Sequence, residues 1–175
     1  GGDIAHGDPG NDHPALSLAI DATFVLQGPN GRRNVPASEF YFGTYMTALA
    51  ENEILCEIHA PAFVPGTGYA YEKLKRKTGD WATAGCAVVM RKSGDQVTHL
   101  RITLTNVAPT ALRAEAAEAA LLNQVFSPAQ VTAAAEAAAA ICEPAEDLRG
   151  DIEYKTAMAA EMVRRALKAA WARCA

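Results

Sequence analysis

Short apolar runs separated by turn residues fill the first sixty or so positions. The stretch NDHPALSLAIDA reads as a helix, because Asn11 or Asp12 can cap it and Pro14 suits its first turn. TFVLQGPNGRRNVP reads as a strand, a turn on Gly28-Pro29-Asn30-Gly31 and a returning strand. In EILCEIHAP, Ile54, Cys56 and Ile58 alternate with Leu55, Glu57 and His59, a period-two strand pattern that stops at Pro61. FVPGTG then breaks the periodicity. A domain boundary is placed there, between a unit of residues 1–62 and a unit of residues 63–175.

Beyond the break, YAYEKLKRK, CAVVMRK and VTHLRITLTNV read as strands, the last two joined by Ser93-Gly94-Asp95, a hairpin signal. The pattern then turns helical and alanine-rich. TALRAEAAEAALL has Thr110 as a cap, and SPAQVTAAAEAAAAI has Ser127 at the cap with Pro128 at the first helical position. A third helix runs from about Asp151 to near the end, with Val163, Leu167, Ala170, Trp171 and Cys174 on one stripe. Trp171 on that stripe reads as core. Small alanine side chains let helices approach a sheet closely. The second unit is therefore of α+β class, a three-stranded antiparallel sheet covered by three helices.

Composition narrows the function classes. Half of the 175 residues are hydrophobic and 21% are charged, as expected of a soluble globular chain of one or two domains. The net charge of −4 argues against a general nucleic-acid binder. No apolar run approaches the roughly 20 residues that span a bilayer, so no transmembrane segment is expected. Cys56, Cys86, Cys142 and Cys174 are scattered singly. They suggest neither a zinc knuckle nor a disulfide framework and read as buried free thiols in a reducing cytoplasm. His6, His13, His59 and His99 form no HxxxH or HxH pair, which leaves no metal centre to propose. No GxSxG or cysteine nucleophile motif occurs.

Two segments carry unusual chemistry. In GGDIAHGDP, Gly1 and Gly2 leave the backbone open to close approach by a phosphate, and Asp8 and Asp12 offer carboxylates to a polyol. The plain alternative is that Asp12 caps the following helix. In YEKLKRKTGDWATAG, a strand would put Lys73, Lys75 and Lys77 on one face. That is either a solvated edge or a cationic site for a phosphorylated cofactor or redox partner. Gly79-Asp80-Trp81 places an aromatic at a sharp turn, where a flat ring could stack.

The segments GGDIAHGDPGNDHPA, EILCEIHAP, YEKLKRKTGDWATAGCAVVM and ITLTNVAPTALRA together resemble the FAD-carrying medium subunits of molybdenum hydroxylases. The resemblance covers essentially the whole chain. Within that family it is close to the aerobic carbon monoxide dehydrogenase type and looser to the xanthine dehydrogenase type. It implies that Gly1 and Gly2 end a loop holding the FAD pyrophosphate, and that Asp3 replaces the Asn or Ser of many relatives. It implies that Asp12 bonds the ribityl chain, that Leu55 contacts the isoalloxazine and that Lys73 lies near the pyrimidine edge. Trp81 would face the ring, with Asp80 beside it. The implied activity is that of an oxidoreductase subunit, inactive alone, relaying electrons. Substrate is oxidised at molybdenum in a large subunit, iron–sulfur clusters of a small subunit carry the electrons, and FAD passes them to an external acceptor.

The family's first glycine-rich FAD loop is missing from this chain. The resemblance therefore also implies a C-terminal fragment, without bound FAD when alone and with Gly1 to about Pro9 mobile. Three readings stand side by side: the flavoprotein fragment, a module that docks partner subunits, and an unrelated small α+β enzyme.

Overall fold

The computed structural model describes all 175 residues. The first unit is built on a three-stranded antiparallel sheet in the order β2-β1-β5, with β1 Thr23–Gly28, β2 Gly31–Pro36 and β5 Ile54–His59. The predicted hairpin is present: Gly28 pairs with Gly31 across Pro29 and Asn30, and Gly31 takes φ 107°, which a side chain rarely adopts. Phe24 and Leu26 point from β1 into a small core with Ile4, Val35, Ala37 and Phe40. Phe24 and Phe40 meet edge to face at 4.7 Å. Two short strands, β3 Tyr41–Gly43 and β4 Met46–Thr47, form a separate hairpin that the sequence pattern did not announce.

Residues Gly2–His6 form a one-turn helix, α1, that buries Ile4 in this core. The opening segment, expected to be mobile, is packed through Ile4 and tied at the Gly7 and Pro9 carbonyls, which accept the Tyr45 and Asn106 N–H groups. Helix α2 spans Asp12–Ala19 with Asn11 at its N-cap.

The second unit is an antiparallel sheet in the order β6-β7-β8-β9: β6 Gly68–Leu74, β7 Ala84–Ser93, β8 Gln96–Thr105 and β9 Leu112–Arg113. The three predicted strands make up its body, and β9 adds two residues to the edge beside Thr103 and Leu104. That pairing corrects the expected helix start. Leu112 and Arg113 are extended, so α3 begins at Glu115 and runs to Leu121, and Thr110 caps nothing. The other two helices start where the sequence pattern places them, at Ser127 and about Asp151. The Ser127 hydroxyl accepts the Gln130 N–H at the head of α4 (Pro128–Ala139), and Asp151 accepts the Tyr154 N–H at the head of α5 (Ile152–Arg173).

Helices α3, α4 and α5 cover one face of this sheet. Cys86, Val88 and Met90 of β7 and Leu100, Ile102 and Leu104 of β8 meet Val163, Leu167 and Ala170 of α5 and Leu121 of α3 in a core of 25 buried residues. Trp171, read as core, is half-buried at its edge, flat on Phe126 at 4.4 Å with Lys92 over the ring at 4.9 Å. Alanine on α5 does bring helix and sheet close: a Cβ on Gly68 would overlap the Ala170 carbonyl. Of the cysteines, Cys86 and Cys174 are buried, but Cys56 is exposed, because alternate side chains of β5 face outward. Burial pushes the Cys142 thiol up to about 11.

The opposite sheet face is not left to solvent. Helix α2 lies across β7 and β8 there, with Ala19 against Ala87 and Val89 and the Ala15 carbonyl accepting the Thr103 hydroxyl at 2.7 Å. This explains why CAVVM reads as an unbroken apolar run: β7 is buried on both faces. It also carries a helix of the first unit onto the sheet of the second.

Candidate functional site

That docking puts the start of α2 beside the end of β6. Tyr71 and Lys73 are two residues apart on β6 and share the face that α2 covers. Asp12 meets both: its Oδ1 accepts the Tyr71 hydroxyl at 2.8 Å and its Oδ2 lies 2.9 Å from Lys73 Nζ. The Asp12 side chain therefore does not cap its own helix. The Tyr71 hydroxyl also lies 3.2 Å from Thr105 Oγ1, above Gly85, where a Cβ would come within 3.0 Å of it. Burial and the Asp12 carboxylate push the Tyr71 phenol well above its ordinary pKa, which keeps it a hydrogen-bond donor.

Strand β6 ends at Leu74, whose carbonyl accepts the Thr83 N–H at 2.8 Å as the chain turns back. Lys75 and Lys77 therefore lie beyond the strand, and the expected face of three lysines reduces to Lys73. The turn passes through Gly79, at φ 80°, and presents Trp81. Three contacts set the indole. Its Nε1–H donates to Asn11 Oδ1 at 3.1 Å, its backbone N–H donates to Asp80 Oδ1 at 2.9 Å, and Gly10 leaves room, since a Cβ there would sit 3.0 Å from the ring. Burial alone would raise the Asp80 carboxyl, but Arg76 at 3.2 Å, the Trp81 amide and Arg149 hold it below its ordinary value.

A cleft of about 270 Å³ results, lined by Asp3, Gly10, Asn11, Asp12, His13, Lys73, Gly79, Asp80 and Trp81. Five of the eight residues singled out in the sequence thus converge: Asp3, Asp12, Lys73, Asp80 and Trp81. The Asp3 carboxylate engages His13 Nδ1 at 2.5 Å. Gly1 and Gly2 stand at the head of α1, with nothing within 4 Å of where a Cβ would be. Leu55 is elsewhere, paired with Leu26 on β5 and packed against the small core, and it lines no part of the cleft.

Asn11, Tyr71 and Asn106 escaped sequence reasoning. Asn106 takes the left-handed φ of 61° at the end of β8. Its N–H donates to the Pro9 carbonyl at 2.9 Å and its side-chain amide to the Ala82 carbonyl at 2.5 Å. A second cavity of about 510 Å³ shares Gly10 and Trp81 with the cleft and extends to Tyr45, Glu143, Asp147 and Arg149.

Residues 1–63 match the family described as the FAD binding domain in molybdopterin dehydrogenase, and residues 69–170 the CO dehydrogenase flavoprotein C-terminal domain. The carbon monoxide dehydrogenase medium chain of Hydrogenophaga pseudoflava is 73% identical over 175 residues, covering 100% of this chain and 61% of the relative. The medium chain from Afipia carboxidovorans is 48% identical over 99% of this chain and 60% of the relative. The solved Hydrogenophaga pseudoflava carbon monoxide dehydrogenase superposes with a TM-score of 0.99 at 76% identity, covering 100% of this chain and 61% of that one. Quinoline 2-oxidoreductase from Pseudomonas putida 86 superposes at 0.91 with 30% identity, covering 99% of this chain and 60% of that one. The chain thus spans about three fifths of the length of the relatives it matches.

Proposed function

The chain belongs to the carbon monoxide dehydrogenase flavoprotein family, and from that premise we propose that it is part of the FAD-carrying medium subunit of a molybdenum hydroxylase of the carbon monoxide dehydrogenase type. The observation that supports this best is the convergence of Asp12, Lys73, Asp80 and Trp81 on one cleft from separate elements.

The residues present fit a flavin dinucleotide. The Trp81 ring is 49% exposed and available to a flat partner, while its turn is fixed through Asp80. Lys73 and Asp12 bring a cation and an acceptor to a polar wall, and the backbone at Gly1 and Gly2 is open to close approach. Bound there, FAD would supply two-electron chemistry that links the iron–sulfur clusters of a small subunit to an external acceptor. Lys73 makes the local potential positive and so favours negative charge beside it, and Asp12 partly offsets it while accepting from the Tyr71 hydroxyl. Asp80 orients the Trp81 backbone. The roles of Gly1, Gly2, Asp3 and Leu55 rest on the resemblance. The molybdenum-containing large subunit and the iron–sulfur small subunit are the proposed partners, in the cytoplasm. No helix is long and apolar enough to cross a membrane.

A docking role accompanies this reading. Phe42 and Met46 on the short hairpin are 66% and 61% exposed, and Leu148 is 91% exposed, apolar surface of the kind that partner subunits cover.

The test is the flavin content of the complete medium subunit assembled with its partners. A near-stoichiometric flavin spectrum is expected, strongly reduced by a combined Asp12→Ala and Trp81→Ala change. A colourless assembled parent, or full occupancy in the double variant, would remove the assignment. The 175-residue chain purified alone is expected to hold no FAD.

A further inference from the structure

Trp81 sits in a turn, outside any strand or helix, so no ladder of backbone hydrogen bonds fixes its ring. Its surroundings must do so. The Arg149 guanidinium carbon lies 5.6 Å from the ring centroid. Arg149 Nη2 lies 3.5 Å from Asp80 Oδ1, the same oxygen that accepts the Trp81 N–H. Arg149 Nη1 lies 3.2 Å from Asp147 Oδ2, and the Arg149 N–H donates to Asp147 Oδ1 at 2.8 Å. Behind Asp147 stands Lys155 of α5, 1% exposed, with Nζ 2.9 Å from Asp147 Oδ1 and donating to the Ala145 carbonyl at 2.7 Å. Arg149 Nε is buried without a hydrogen-bond partner. The guanidinium is thus held between Asp147 of its own loop on one side and the Asp80 carboxylate and indole of the Trp81 turn on the other.

From this geometry we infer that Arg149 is a positioning residue, which ties the Trp81 indole to Asp147 and through it to the buried Lys155 of α5, and so sets the face that the cleft offers a flat ring. This rests on the flavin reading above. Arg76 supports Asp80 from its other oxygen and donates to the Leu148 carbonyl at 3.3 Å. The 143–150 loop and the Trp81 turn are therefore joined at two points.

The test needs no flavin. In the complete medium subunit, with Trp171 and any tryptophan outside these 175 residues changed to phenylalanine, Trp81 is the one indole left; the 175 residues hold two tryptophans. Quenching by acrylamide, a neutral probe, then reports how tightly the ring is held. Arg149→Gln is expected to raise the quenching constant by about twofold, since the stacked cation and its ion pairs are gone. Arg149→Lys keeps the charge but not the planar fork and is expected between parent and Arg149→Gln. Arg165→Gln, on an exposed part of α5, should match the parent. A parent-like constant in Arg149→Gln would overturn the inference. Should that variant lose its cooperative unfolding transition, Arg149→Lys decides alone, and a parent-like constant there overturns it equally. In the assembled subunit, Arg149→Gln should also lower flavin retention, and full retention would overturn the role toward the ring. An assembled parent without flavin would sink the flavin reading, whereas the quenching arm would still judge Arg149.

Discussion

The two units differ in how they hold themselves together. The second gathers 25 buried residues between a long-stranded sheet and three helices, whereas the first has a cluster of seven around Phe24 and Phe40. Fully burying a leucine or phenylalanine is worth about 1.5–3 kcal/mol, so the two clusters are far apart in cohesion. The first unit also leaves Ile54 and Ile58 of β5 in solvent. Yet the cleft draws residues from both. It does so because α2 leaves the weaker unit and seats Asp12 on the stronger one. A site can be stiff although half of its sequence belongs to a lightly packed region, provided the contributing element is docked on the rigid partner.

The sharpest way to break this comparison is Phe24→Ala. Truncating a buried phenylalanine costs about 3–5 kcal/mol. Amide exchange should accelerate in β1, β2 and β5 while β7 and β8 keep their protection. Equal loss in both sheets would mean that the chain unfolds as one unit and the contrast is void. Gly68→Ala attacks the other side. The added Cβ overlaps α5 backbone at Ala170, so α5 must lift from β6, at about 1–3 kcal/mol or more. The thermal midpoint should fall, with β6 and α5 exchanging first and β1 unaffected.

Acid sharpens the comparison further. Burial works to raise the Asp147 carboxyl, but Lys155 and Arg149 hold it below its ordinary value. A depressed carboxyl contributes stability that is present above the unfolded value of about 3.9 and is lost as pH falls through the folded one. The urea midpoint should therefore drop below about pH 4, less steeply in Asp147→Asn. Identical acid slopes would remove Asp147 from the account. The smallest expected effect is electrical. In the assembled, flavin-loaded subunit, Lys73→Ala should lower the flavin midpoint potential by a few tens of millivolts, where about 30 mV corresponds to about 1.4 kcal/mol for a two-electron couple. Lys77→Ala, beyond the strand, should shift it much less. Equal shifts in a redox titration at matched salt would reduce the cluster to diffuse positive surface.

What the sequence made legible was local. The Pro29-Asn30 and Gly94-Asp95 turns, the Ser127 cap, the start of the last helix near Asp151 and the period of β5 all declare themselves within a few residues. What escaped was decided at a distance. Leu112 and Arg113 look helical by neighbourhood, but their backbone groups pair with β8. The lysine run looked like a continuing strand, and the Leu74–Thr83 hydrogen bond ends it. Asn11 read as a helix cap, and its side chain instead serves Trp81, seventy positions later. Asp12, Lys73 and Trp81 stood out in their own segments, and the resemblance gave them roles toward a flavin. Tyr71 was not, because a tyrosine in a strand carries no mark of the carboxylate it will meet.

Asn106 carries one further consequence. It joins the Pro9 and Ala82 carbonyls through a single residue, and those carbonyls belong to the two loops that wall the cleft. The two walls therefore share one reference point. A shift of the end of β8 carries Gly10 and Trp81 in the same direction, and the contact between them is preserved. The two loops behave like boards nailed to one batten: the wall they make follows the sheet, and its seam stays shut.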